Sequence, residues 1–422
     1  MPPYYVIIIG AGPAGLFTAI HCADHNKRVL LLEKNTYTGK KLLISGSGKC
    51  NITHSGTIDG FLNHYGEHGR FIKPALYNFS NEDLLEFFVS RGLRFILNDE
   101  EKYFPESLHG SDIRTILLKE YEQRSGELKC NEIVKSIRLD KNTQFKICTQ
   151  SGEYSSKILV IATGGKSFPQ TGSTGDGYLF AQQLGHTITD IAPALTPLFI
   201  KNYPFKDLSG MSFTNRWISL RRNGKMIQTC RGDIVLTHTG ISGPGVLNLS
   251  RYVLPGDVIE ISFITDSDEK EFKKEFTEDL ENHGKLMIKT IMHRYSLPKR
   301  FVESVFTIGN ISGETHASQL RGEQREIIIK LLSAFPMTVD TIGDFSMAMT
   351  THGGVSLREI HLKTMESRLI PNLYFVGEVL DIDGDTGGYN LQAAFSTGFL
   401  AAQSINKKLG RIYHGEKISD CQ

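Results

Sequence analysis

The stretch Gly10-Ala11-Gly12-Pro13-Ala14-Gly15 carries the first recognisable chemistry in this chain. Glycines at these intervals have separate tasks. Gly10 allows a tight turn, Gly12 lets the backbone approach a diphosphate, and Gly15 lets a helix pack hard against a strand. The phosphates would rest on free N–H groups at a helix N-terminus, where the positive dipole end favours an anion. A chain with 41 glycines produces chance matches to so short a pattern, so the flanking residues decide. Tyr5–Ile9 reads as a strand buried on both faces, Leu16–Ala23 as a helix, and Arg28–Leu32 as a second buried strand ending at Glu33. Strand, glycine turn, helix, strand and acid within about 30 residues make a dinucleotide-binding unit. Glu33 is expected to accept hydrogen bonds from a ribose and to repel a 2′-phosphate.

This unit alone does not separate NAD from FAD. Residues 39 to 53 follow the acidic strand end as a glycine-rich, basic segment. Read as a long loop offering N–H groups, hydroxyls and lysines, it suits a larger cofactor. Two further glycine clusters, Gly172–Tyr178 and Gly384–Leu391, open helices. The second places the N-terminus of the last helix, Gly388 to Leu391, where it would stabilise negative charge on a reduced flavin ring. Asp381 or Asp383, after a buried strand, is expected to take the ribityl hydroxyls. His238 and His352 each precede a glycine-rich turn and are the candidate catalytic acids or bases, although a structural histidine is the commoner outcome. Cys50 is a lesser candidate for redox or covalent chemistry. The six cysteines show no CxxC and no zinc-ligand spacing, so no metal site is expected and the thiols read as reduced.

The elements that must position these groups follow from local pattern. Ser80-Asn81-Glu82-Asp83 starts a helix running to Arg91, and Ser111 starts another running to about Arg124. Three short alternating runs from Asn131 to Lys157 read as a β-meander, and Ile158–Ile161 as a buried strand leading into Ala162-Thr163-Gly164-Gly165. The fold class is therefore α/β, Rossmann-like, in a layout typical of FAD-binding domains, with a small sheet or barrel between Leu198 and Ile264 and a helical subdomain from Asp266 to about Phe335 before the chain returns to α/β character at Leu373.

The 422 residues suffice for two or three domains of about 150 residues each. With 47 Lys and Arg against 46 Asp and Glu, no global field attracts nucleic acid or an anionic membrane. No Lys/Arg-rich stretch with interleaved aromatics stands out either, and no apolar run reaches the roughly 18 residues of a membrane span. The expected partner is a small molecule, with no nucleic acid and no membrane, and the expected location is cytoplasmic. Composition sets no oligomeric state.

GAGPAG, KLLISGSGKCNIT, GGKSFPQTGSTGDGY, LTHTGISGPGVLNLS, the GGV of THGGVSLREI, TMESR and GEVLDIDGDTGGYNLQAAFSTG occur in this order from about residue 5 to 405. Together they resemble the BaiN-like (YhiN-type) family of NAD(P)/FAD-dependent flavoproteins, which includes aminoacetone-oxidase-like members. The resemblance implies an FAD-binding domain of the two-dinucleotide-binding-domain flavoprotein type built from both chain ends, 1–191 and 351–422, interrupted by an inserted β-barrel, 192–265 with about 336–350, and a small helical subdomain, 266–335. It implies FAD contacts at Gly10, Gly12, Ala14, Gly15, Glu33, Lys34, Lys41, Ser45, Asn51, Val134, Thr163, Gly164, Asp381, Gly388, Asn390 and Leu391. The expected function is an FAD-dependent oxidoreductase, with hydride passing from NAD(P)H to flavin N5 and on to a small organic acceptor or O₂. The alternatives are a fumarate-reductase-like alkene reductase and a protein in which FAD is mainly structural. No second GxGxxG occurs, so nicotinamide and substrate would use the flavin in turn.

Overall fold

A computed structural model describes residues 3–23, 28–140, 143–264 and 269–419, without the side chains of 411–419. Cys421, the Lys141-Asn142 turn and Asp266 lie outside the described residues. The chain forms two compact units, Met1–Pro193 with Met349–Gln422, and Ala194–Ala348.

The first unit is built on a seven-stranded sheet. Tyr4–Ile9 lies at its centre, parallel to Val29–Leu32 on one side and to Glu153–Ile161 on the other. Val6, Ile7 and Ile8 are wholly buried, as expected of an apolar run covered on both faces. Glu127–Lys129 extends the sheet beyond Val29–Leu32. The third meander run and the buried strand after it prove to be one strand, Glu153–Ile161. Its first half pairs antiparallel with Phe145–Thr149, and its second half pairs parallel with Leu373–Phe375 from the far end of the chain. The chain ends also join through helices. Pro13–Cys22 meets the last helix, Tyr389–Ser419, where Thr18 Oγ1 donates to the carbonyl of Gly398 at 3.2 Å. A Cβ on Gly398 would lie 2.7 Å from the Ala14 carbonyl oxygen, so a glycine is required at this crossing. The capping box at Ser80 and Asp83 is formed and starts the helix Asn81–Val89.

The second unit contains a closed six-stranded barrel in the order Leu198–Ile200, Gly240–Ser242, Lys225–Leu236, Ser212–Arg222, Val258–Ile261, Phe335–Ile342. Its helices do not form a separate core. Phe301, on the helix Lys299–Ile308, packs against Phe205, Phe213 and Phe263 with ring centroids 5.5, 4.9 and 4.4 Å apart. Amphipathic helices this short cannot bury their apolar faces among themselves, so they share the barrel's core. No described helix is long and apolar enough to cross a membrane.

Candidate functional site

The fingerprint glycines of the first unit differ in what surrounds them. Gly10 takes φ +100°, and a Cβ there would sit 2.5 Å from the Ala162 carbonyl oxygen. A Cβ on Gly15 would lie 1.9 Å from the Gly10 oxygen, so helix and strand touch backbone to backbone. A Cβ on Gly12 would meet nothing within 4 Å. The protein itself does not require glycine at that point, and the open space, which several surface glycines share, coincides here with a helix start to which a diphosphate can come close. Gly12 also caps the helix with no side-chain hydrogen bond, and Pro13 follows. The N-terminal N–H groups thus have no side-chain acceptor, and the residues present fit a diphosphate.

Glu33, expected to accept from a ribose, is 6% exposed and has both carboxylate oxygens engaged by the chain: Oε2 accepts from Ala11 N–H at 2.9 Å, and Oε1 accepts from Asn35 N–H at 2.8 Å and Asn35 Nδ2 at 2.7 Å. The backbone of Glu132 donates to the Glu33 carbonyl at 2.9 Å. Val134, which begins a strand two residues later, therefore lies close to the acidic strand end.

Several other expected contacts are engaged by the chain itself. Lys34 Nζ donates to Thr174 Oγ1 and Asp176 Oδ2, both at 2.6 Å. Lys41 Nζ bonds Ser167 and pairs with Glu378 at 2.7 Å, while Glu378 Oε1 also accepts from Thr351 N–H at 3.0 Å. Ser45 Oγ donates to the Leu42 carbonyl at 2.7 Å. Residues 39 to 53 are not one long loop, because Lys40–Ile44 is a short helix followed by a 3₁₀ turn, anchored by buried Leu42. Gly164 takes φ +73°, and Thr163 Oγ1 is buried against Gly177 rather than facing open space. Burial pushes the Cys50 thiol up to about 12, which makes it a poor nucleophile and removes it from the redox candidates.

The segment Asp381-Ile382-Asp383-Gly384-Asp385 carries a pattern missed in the sequence. Each of its three carboxylates faces a histidine. His68 Nε2 lies 3.7 Å from Asp381 Oδ1, His352 Nδ1 lies 3.2 Å from Asp383 Oδ1, and His64 Nδ1 lies 3.0 Å from Asp385 Oδ2. The alternation of aspartates was visible, but their partners are distant in sequence. Tyr389 lies against His64 and His54, with centroids 4.2 and 5.2 Å away and nearly parallel to both, and the two histidine rings are themselves 6.4 Å apart. Burial, and then the Asp385 charge, holds its phenol well above the usual tyrosine range.

The last helix begins at Tyr389, immediately after Gly388, as expected. The amide of Gly388, however, is not an open donor. With its side-chain amide oriented to suit both neighbours, Asn51 accepts from Gly388 N–H at 3.2 Å and donates to the Thr53 carbonyl at 3.0 Å. Asn390 likewise turns inward, accepting from Gly384 N–H and donating to the Gly384 carbonyl, both at 2.8 Å. Leu391 is half-buried and packs against the unit's core.

The two candidate histidines fall in different units. His352 shares the first unit with the glycine turn, whereas His238 is exposed in the second unit's Thr237–Gly240 turn. There Thr237 N–H donates to the Gly240 carbonyl at 2.9 Å. No group of His, Cys, Asp and Glu suited to a metal occurs among the described residues.

Residues 4–404 match the family described as HI0933-like protein Rossmann domain. Among curated relatives, the chain is 32% identical to the ribosomal RNA dihydrouridine synthase of Haemophilus influenzae over 409 residues, 95% of this chain and 98% of that protein. It is 30% identical to the Escherichia coli protein of the same name, again over 98% of its length. It is 29% identical to the 3-dehydro-bile acid delta(4,6)-reductase of Clostridium scindens, covering 95% of this chain and 98% of that protein. In fold it is similar to a 3-ketosteroid delta1-dehydrogenase from Sterolibacterium denitrificans (TM-score 0.52, 12% identity, 97% of this chain and 100% of that one). It is also similar to a flavocytochrome c3 fumarate reductase (TM-score 0.50, 15% identity, 96% and 79%). The diphosphate cradle at Gly12 and a family match that runs from the first strand into the last helix agree: the chain belongs to the HI0933-like Rossmann family and is an FAD-dependent oxidoreductase.

Proposed function

We propose that this oxidoreductase takes electrons from NAD(P)H and reduces a carbon–carbon double bond conjugated to a carbonyl. FAD, when bound, supplies the hydride chemistry. Saturating such a bond takes one hydride at the β-carbon and one proton at the α-carbon, and the proton is the chain's contribution. His352 is the donor. The observation that carries this reading is its pairing with Asp383, whose side chain is 2% exposed and lies 3.2 Å from Nδ1. A buried carboxylate orients the ring and favours a proton on Nδ1, which assigns the transferred proton to Nε2 in this reading. The histidine side chain is 35% exposed, which lets solvent return the proton.

Support for a conjugated alkene comes from the relatives' names, since a 4,6-dienone and a uracil ring both place a double bond beside a carbonyl. A small-molecule acceptor is the first form of such a substrate. Uracil within RNA is the second, favoured by two relatives of 30% and 32% identity. A cytoplasmic setting fits the free thiols of the five described cysteines.

The test is to reduce the protein anaerobically and follow flavin reoxidation by a steroid enone, a uridine-containing RNA, a saturated ketone and O₂. Reoxidation by the enone or the RNA but not the ketone is expected, and His352→Gln should slow it about 100-fold while FAD content and reduction by NAD(P)H stay unchanged. Reoxidation by O₂ alone would overturn the reading.

A further inference from the structure

The two longest barrel strands, Ser212–Arg222 and Lys225–Leu236, are joined by Asn223 and Gly224 at φ 50° and 77°. Both residues of a two-residue hairpin turn are left-handed, which suits the strands' twist. Phe213, Ile218 and Leu220 point into the barrel core. The alternate positions face solvent, and among them is Trp217, the chain's only tryptophan, 46% exposed. Its cross-strand partner Arg231 holds its guanidinium 5.7 Å from the indole centroid. Met226 and Ile227, beyond the turn, are 48% and 43% exposed.

The local charge differs from that of the whole chain. Residues 194–261 hold eight Lys and Arg against four Asp and Glu, where the full sequence is balanced. Asp257 and Glu260 pair with Arg222 and Arg221 at 2.9 and 2.6 Å. Lys225 at the turn and Arg231 beside the indole are further exposed cations. An exposed indole with Arg231 beside it and Lys225 at the turn is a stacking platform for a base with cations for the neighbouring phosphates.

We propose that this hairpin face binds single-stranded RNA, with a base stacked on Trp217 and the phosphate backbone following the Arg and Lys side chains. The proposal rests on the conjugated-alkene reading in one respect: uracil is a base that carries such a bond.

Because Trp217 is the only tryptophan, its emission reports on this face alone. Titrating the FAD-loaded full chain with a uridine-rich RNA of about 12 nucleotides is expected to quench that emission, and affinity should fall as salt is raised from about 50 to 200 mM. Trp217→Ala should weaken binding about tenfold and Trp217→Phe should restore most of it, with flavin reduction by NAD(P)H unchanged in both. Absence of quenching, or equal RNA affinity in Trp217→Ala, would overturn the proposal. So would self-association that Trp217→Ala abolishes without any RNA response, since that assigns the face to a second copy. Trp217-dependent RNA binding with no reoxidation by uridine or enone would uphold the face and remove the alkene reading. Reoxidation by free uridine with no change in Trp217 emission would uphold the alkene reading and remove the face.

Discussion

Two glycine turns in the first unit each lead into a helix, and they serve different masters. At Gly10–Gly15 the middle glycine has open space where a side chain would be, and the helix start has no side-chain cap. At Gly384–Gly388 a Cβ on the last glycine would lie 2.7 Å from the Thr53 Cα, the Gly388 N–H is held by Asn51, and Asn390 closes on Gly384. The first turn leaves its middle glycine open at a helix start, with room for a diphosphate. The second spares room for the protein's own backbone. Glycine content alone does not identify a ligand contact; what lies on the missing side chain's flank does.

The largest effects should come from the first turn and should split. Gly15→Val places atoms inside the Gly10 carbonyl and is expected to cost more than about 4 kcal/mol, enough to prevent folding. Gly12→Val should leave the thermal midpoint of the FAD-free protein nearly unchanged and abolish flavin absorbance after incubation with FAD. A Gly12→Val protein that retains FAD would show that the open flank does not face the cofactor.

The helix after that turn carries His21, with ring centroids 4.6 Å from Phe17 and 4.9 Å from Phe399. Burial, reinforced by the positive charges of Arg124 and Arg91, holds its pKa down at about 4, against an ordinary value of 6.5. Between those values the unfolded chain binds the proton and the folded chain does not. Stability should therefore fall as the pH drops from about 6.5 to about 4, by roughly 3 kcal/mol from this group. Denaturant titrations across that range should show the loss, and His21→Gln should flatten it. An unchanged slope in the variant would mean that the first helix is held less tightly than its packing implies.

The second turn should respond through stability rather than through the cofactor. Gly388→Ala meets backbone at a φ of +95° and is expected to cost about 2 kcal/mol, read as a lower thermal midpoint, with FAD affinity reduced far less than in Gly12→Val. Loss of FAD with an unchanged midpoint would erase the distinction between the turns. The smallest effect belongs to Asn51→Ala, which removes the acceptor of the Gly388 N–H and should cost about 1 kcal/mol. A cost near zero would show that this amide is satisfied without Asn51.

Much of the flavin unit was readable because its signals are local. The buried run Tyr5–Ile9, the glycine spacing, Glu33 and the capping box at Ser80 each depend on residues within a few positions of one another. Side chains whose partners are remote in sequence carry no such local signal. Lys34 and Lys41, read as cofactor contacts, are paired with Asp176 and Glu378. The alternating aspartates of residues 381–385 were on view, yet nothing in their spacing indicated that His68, His352 and His64 would face them. The helical segment read as a separate body because its composition changes, but its phenylalanines complete the barrel's core.

The sequence by itself determined the backbone pattern: which runs are strands, where glycine must replace a side chain, and which acid ends the second strand. Those outcomes follow from backbone sterics and hydrophobic period, which act over a few residues. Only the tertiary structure decided which glycine faces open space, which charges are already neutralised, and which histidine gains a buried carboxylate. These depend on side chains brought together from opposite ends of the chain, where the pairing of Leu373–Phe375 with Glu153–Ile161 and the packing of the first helix on the last put His352 and the aspartate segment into the same unit as Gly12.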